Sequence, residues 1–172
     1  MHQRDADDEW QMVMSTPGFI GFDGLGATNE SNTLTPVGTY HFDAAFGIAP
    51  NPGCAISYTQ VTDDLYWSGD TREGMQYNKM VSIKDYPDLD TSASEHLIDF
   101  TRDYQYCLNI DYNKECIPGG GSAIFLHCFG SRDPYTGGCI AIPEDQMLVV
   151  MQYVKPNCIV VIDSLENLGS DS

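Results

Sequence analysis

The chain has 172 residues, of which 42% are hydrophobic, ten Tyr and seven Phe among them. This is a globular composition, long enough for one domain with its own core, and it excludes a disordered chain. With 25 acidic and eight basic residues the net charge is −17, which argues against nucleic acid or anionic lipid as the main partner because both would be repelled.

No stretch approaches the apolar length that spans a bilayer. The opening "MHQRDADDEW" is charged from the start and is not a secretory leader. With the residues that follow it reads as strand, turn, strand, so a first strand and a processed leader could lie upstream. Downstream, "TYHFDAAFGI", "ISYTQVT", "DLYWSGD", "YCLNIDYN", "SAIFLHC", "GGCIAI" and "NCIVVID" alternate β-branched or aromatic residues between Gly, Pro, Asn and Asp, and read as strands. The last is expected to be buried. "SASEHLIDF", from Ser92 to Phe100, reads as a short helix capped by Ser92 or Ser94. "PEDQMLVVMQYV" is the clearer helix: Pro143 stands in the first turn, acids follow, and Met147, Val150, Met151 and Val154 fall at helical spacing. The expectation is a mainly β domain of mixed, sandwich-like sheets over residues 1–172, with one clear helix after Cys139.

Six cysteines form no C-x-x-C pair, so no zinc or redox motif is present. Cys107 and Cys116 flank a possible hairpin, where a disulfide is plausible in an oxidising compartment. Cys128 and Cys158 lie in apolar runs, where a buried free thiol is the commoner case.

"GSAIFLHCFGSRDPYTGGCIAI" carries the chemistry. An apolar strand ends on His127, another begins on Cys139, and a loop with Pro134 and the pair Gly137–Gly138 lets the chain turn back. Side by side, the strands would bring imidazole and thiol to one end of a sheet. An imidazole that takes the thiol proton yields a nucleophilic thiolate, and the glycines allow main-chain N–H groups to face a developing oxyanion. On spacing alone, a core cysteine and a hydrogen-bonded structural histidine are the commoner case.

The segments "GSAIFLH" and "YTGGCIAIPEDQM" resemble the active-site region of the YkuD-like L,D-transpeptidase catalytic domain, in the branch labelled ErfK/YbiS/YcfS/YnhG. "STPGFIGFDGLG", "TLTPVGTYHFDAAFGI", "DLYWSGD", "YNKMV", "SEHLIDF" and "YNKECIPGGGSAIFLH" follow that branch in order, from Ser15 to about Ile162. The resemblance implies that Cys139 is the nucleophile that cleaves D-alanine from a peptidoglycan stem peptide. It implies that His127 is the base, oriented by the Cys128 main-chain carbonyl, and that Gly138 and Cys139 offer oxyanion N–H groups. A neighbouring amine would then resolve the thioester into a cross-link, or water would make the site a carboxypeptidase; a non-catalytic wall-binding module is the other alternative. The resemblance implies no cofactor and no metal, and a secreted, bacterial, wall-associated monomer. His96, Arg132, Tyr135, Thr136 and Gly137 are the candidates for contact with substrate, with a structural hydrogen bond the alternative for His96 and a solvated loop side chain the commoner case for Arg132. Trp67, Tyr77 and Asn78 are candidates for the groove wall, Trp67 more as core. The widespread motif S-H-G-C-[IV]-R reads here Thr136, Gly137, Gly138, Cys139, Ile140 and Ala141, so the arginine that often holds the site or the substrate is missing.

Overall fold

The computed structural model describes residues 1–129 and 133–169. In chain order the strands are β1 (His2–Arg4), β2 (Trp10–Met12), β3 (Leu25–Gly26), β4 (Thr35–Pro36), β5 (Gly38–Gly47), β6 (Tyr58–Gln60), β7 (Leu65–Trp67), β8 (Met80–Ser82), β9 (Glu95–His96), β10 (Cys107–Ile110), β11 (Phe125–Cys128), β12 (Ile140–Ile142) and β13 (Ile159–Ile162). The helix α1 (Glu144–Tyr153) lies between β12 and β13. The domain is mainly β with mixed sheets and this one α-helix among the described residues, as the alternation in the sequence leads one to expect.

The central sheet runs β12-β11-β10-β5-β13, and β6 also pairs with β5. The β10–β11, β10–β5 and β13–β5 pairs are antiparallel, whereas β11–β12 and β5–β6 are parallel. Period-2 alternation gives this sheet two different faces. Leu108, Cys128 and Ile142 point to one face, where they pack with Met147, Val150, Met151 and Val154 of the α1 segment. Those four are the residues that recur at helical spacing, and all are buried. Each large side chain removed from water there contributes about 1.5–3 kcal/mol. Glu144 and Asp145 occupy the first turn of α1 and complement the helix dipole.

Cys107, Phe125 and Cys139 point to the opposite face and pack with Phe46, Trp67, Leu97 and Tyr104. The small sheet β8-β7-β9 stands over this side. Every residue of β10 is buried because both of its faces are covered.

Three expectations change. The 92–100 stretch is not an α-helix: Glu95–His96 pairs antiparallel with Tyr66–Trp67, and only Leu97–Asp99 forms a 3₁₀ turn. Side-chain bonds from Ser92 to the Asp90 carboxylate and from Ser94 to the Asp90 carbonyl compete with a helical start. The β13 strand is not buried: Ile159 and Val161 are 53% and 50% exposed, because only one face of this terminal strand meets the core. All six cysteines are unpaired, so Cys107 and Cys116 form no disulfide. Cys128 is buried, and Cys158 only partly so. No helix among the described residues is long and apolar enough to cross a membrane.

Candidate active site

The strands carrying His127 and Cys139 are parallel, with Leu126 opposite Ile140 and His127 opposite Ala141. The chain therefore crosses over between them rather than folding straight back. Extending the register places Cys139 beside Phe125, on the same face as His127 and two residues short of it. For ordinary strand spacing that puts their α-carbons about 8 Å apart, close enough for the two side chains to reach toward one another. Both line one cavity of about 570 Å³, with Thr136, Gly137, Tyr135 and Ala141 also in its wall.

His127 is 94% buried by the measure of its 6% exposure. Its Nδ1 lies 2.8 Å from the Cys128 carbonyl oxygen, so the proton belongs on Nδ1 and Nε2 is left as the basic nitrogen. Nε2 has no hydrogen-bond partner among the described residues. No buried side-chain nitrogen or oxygen there lacks a partner, so Nε2 is open to the cavity rather than sealed. Burial pulls the imidazole below its usual range, while the Cys128 carbonyl and the Asp103 carboxylate oppose that shift. The ring is thus a neutral base near neutral pH.

The Cys139 thiol donates to the Ala123 carbonyl at 3.1 Å and accepts from the Phe125 N–H at 3.3 Å. Among the described residues it makes no hydrogen bond to His127. Burial, followed by the Glu95 charge, pushes the thiol well above its usual range; the Phe125 N–H pulls it down, and Asp103 adds to the rise. The resting pair is therefore a thiol and an imidazole, not an ion pair.

The turn before Cys139 is braced from two sides. Thr136 Oγ1 donates to the Cys139 carbonyl at 2.6 Å and accepts from the Gly138 N–H at 3.2 Å. Thr35 Oγ1, from β4, donates to the Gly138 carbonyl at 2.8 Å. Gly138 has φ +133, and a β-carbon there would sit 3.1 Å from the Leu34 carbonyl oxygen; the close approach requires glycine. The Cys139 N–H makes no hydrogen bond among the described residues, whereas that of Gly138 is already engaged by Thr136.

Ala123, which holds the thiol, has φ +55 and is itself held by Asn78. Asn78 Oδ1 accepts from the Ala123 N–H at 3.1 Å and from Trp67 Nε1 at 3.0 Å, and Nδ2 donates to the carbonyls of Tyr112 and Asn113. Asn78→Ala is expected to lower the unfolding free energy by about 2–4 kcal/mol, because it orphans several buried partners at once. A urea transition with an unchanged midpoint would contradict this.

Of the other sequence candidates, Tyr135, Thr136 and Gly137 are in the cavity wall and His96 is not. The His96 ring nitrogens meet the Asp99 carboxylate at 2.9 Å and the Asp63 carbonyl at 2.7 Å, and the ring stacks on Tyr66. Its neighbour Glu95 enters the cavity instead, since consecutive strand residues face opposite ways. Arg132 lies outside the described residues. Trp67 is both core and cavity wall. Tyr77 donates to the Glu30 carboxylate.

Glu95, Tyr104, Asp103 and Thr35 are the site residues that sequence reading missed. The cavity wall carries Glu30, Glu95, Asp103 and Asp133, and no Lys or Arg among the described residues. Ala141 occupies the place where the widespread motif has arginine.

The family model for the YkuD L,D-transpeptidase catalytic domain matches residues 4–162. The chain belongs to that family. No curated protein and no solved structure matches it. Within this L,D-transpeptidase domain, the matched span contains both strands of the His127–Cys139 pair and the whole cavity wall.

Proposed function

We propose that the domain, acting as a single unit over residues 1–172, is a cysteine-dependent L,D-transpeptidase of peptidoglycan stem peptides, working at the bacterial cell wall. The observation that carries this reading is one cavity lined by both the Cys139 thiol and a neutral, carbonyl-oriented imidazole. Cys139 Sγ attacks the carbonyl joining the third stem residue to D-alanine while His127 Nε2 accepts the thiol proton. The unengaged Cys139 N–H is the nearest donor for the oxyanion. For Gly138 to assist, its N–H must leave Thr136 Oγ1. As the tetrahedral intermediate collapses, His127 returns the proton to the departing D-alanine amine and a thioester remains. An amine from a second stem then attacks the thioester carbonyl, gives its proton to His127, and releases Cys139 with a new amide. Water in place of that amine gives an L,D-carboxypeptidase. Tyr135 and Gly137 line the path the substrate takes, and Thr136 holds the turn.

One observation favours a second reading. The thiol hydrogen-bonds to Ala123 rather than to His127, an arrangement compatible with a stem-binding module that has no turnover. Incubation with tetrapeptide muropeptide separates the three. Cross-linked product with free D-alanine marks the transpeptidase, tripeptide alone marks the carboxypeptidase, and unchanged tetrapeptide rejects both. A carbapenem is expected to add one covalent equivalent at Cys139; peptide mapping that finds the adduct on another cysteine, or none, removes Cys139 as the nucleophile.

A further inference from the structure

Glu95 and Tyr104 form a polar pair where the apolar cluster around Cys139 meets the cavity: Tyr104 belongs to the cluster, and Glu95, partly buried, stands on the cavity wall. The Tyr104 hydroxyl donates to Glu95 Oε2 at 2.6 Å, and the tyrosine is 3% exposed. Its ring lies edge-on to the His127 imidazole, with centroids 5.5 Å apart and planes at 76°. Phe100 stacks on the same ring, and Phe46 and Phe125 close it in edge-on. The ring is thus fixed on every side, and the only polar handle it offers is taken by Glu95. Glu95 itself sits on β9 opposite Trp67 and faces the cavity. A carboxyl in such a place costs free energy when charged unless something recompenses it, and the single hydroxyl is its one hydrogen-bond donor among the described residues.

We propose that Glu95, anchored by Tyr104, is a positioning residue of this site whose negative charge restrains the Cys139 thiol from ionising and whose protonation releases it. The proposal rests on the reading of Cys139 as the nucleophile. Tyr104 links the two halves of the device, since one ring braces the imidazole and holds the carboxylate.

The groups facing Glu95 come from every neighbouring segment. Asp103 and Tyr104 precede β10, Cys107 is on β10, Glu30 comes from the loop before β4, and Cys139 precedes β12. Asp133 is also in the cavity wall. His96 and Asp99, on either side of the same turn, pair with each other and face Asp63. Among the described residues of the wall there is no Lys or Arg beside Glu30, Glu95 and Asp103. Burial therefore raises the Glu95 carboxyl to about 7, Glu30 and Asp103 add to the rise, and the Tyr104 hydroxyl opposes it. Above that pH the ionised carboxylate joins Asp103 in disfavouring the thiolate; below it the restraint falls away, and burial favours the neutral form of His127.

Iodoacetamide alkylation of Cys139, followed by peptide mapping between pH 5 and 10, tests the device without requiring turnover. In the unaltered protein the logarithm of the rate should climb one unit per pH unit at both ends, with a shallower stretch between about pH 6 and 8 as Glu95 ionises. Glu95→Gln keeps an acceptor for Tyr104 but has no charge. It should lose the shallow stretch and alkylate about tenfold faster at pH 9. A uniform slope in the unaltered protein, or a Glu95→Gln profile that overlays it, overturns the proposal. A purely structural Glu95 would move neither. D-Alanine release, measured on the same preparations, reports separately on the reading of Cys139 as a nucleophile.

Discussion

Cys139→Ala is expected to abolish D-alanine release from a tetrapeptide stem, a fall of at least about a thousandfold, because Cys139 is the one thiol among the described residues of the cavity wall and the hydroxyls there have no comparable nucleophilicity. The remaining five cysteines do not substitute for it. Cys107, on the same face, is fully buried, pairs with His127 across the β10–β11 ladder and is not in the cavity wall. The fold should persist, since the change removes one buried sulfur, with its packing in the apolar cluster and its bonds to Ala123 and Phe125, and leaves the bonds that brace the turn in place. Tetrapeptide binding should persist in the variant, which calorimetry can read. Undiminished turnover would remove Cys139 from the chemistry. Unaltered binding beside a wild-type protein that also lacks turnover would establish the binding module instead.

His127→Asn is expected to reduce turnover by about 10²–10⁴-fold while leaving the fold intact. The asparagine amide can keep the donation to the Cys128 carbonyl that Nδ1 now makes, so the change removes Nε2 and little else. Loss of the base has a distinctive pH signature. The rate should recover partway toward alkaline pH, where hydroxide in solution ionises the thiol that no imidazole now deprotonates. A variant with normal rates at neutral pH would mean that the thiol loses its proton to another group, for which the carboxylates Glu95 and Asp103 are the candidates among the described residues of the wall.

The outline of the fold was legible because its central strands follow a simple rule. Gly38–Gly47, Cys107–Ile110 and Phe125–Cys128 are apolar or alternating runs bounded by turn residues, and the α1 stripe shows its period without ambiguity. His127 and Cys139 were legible for the same reason: each stands at the end of an apolar run. The 92–100 segment was not, because its serines read as helix caps while they bond locally to Asp90. That misreading also hid the site. In a strand, Glu95 and His96 face opposite ways, so a reading that selected the histidine passed over the carboxylate beside it. Thr35 and Tyr104 carried no local signal at all. Thr35 reaches a turn 103 residues away, and Tyr104 becomes part of the site only when β10 lies beside β11. The parallel pairing of β11 with β12 was also out of reach, because a loop rich in glycine and proline serves a hairpin and a crossover equally well.

The bond from Thr35 to Gly138 has a consequence for the timing of reactivity. A threonine near the start of the chain clamps the turn that presents the sulfur, so the nucleophile is shaped only after one of the longest loops in the molecule has closed. Contacts so distant in sequence form late, since chain entropy must be overcome before they reward the fold. A newly made or partly unfolded chain would therefore carry an ordinary, disorganised thiol, and the competence to acylate would arrive together with the finished tertiary structure.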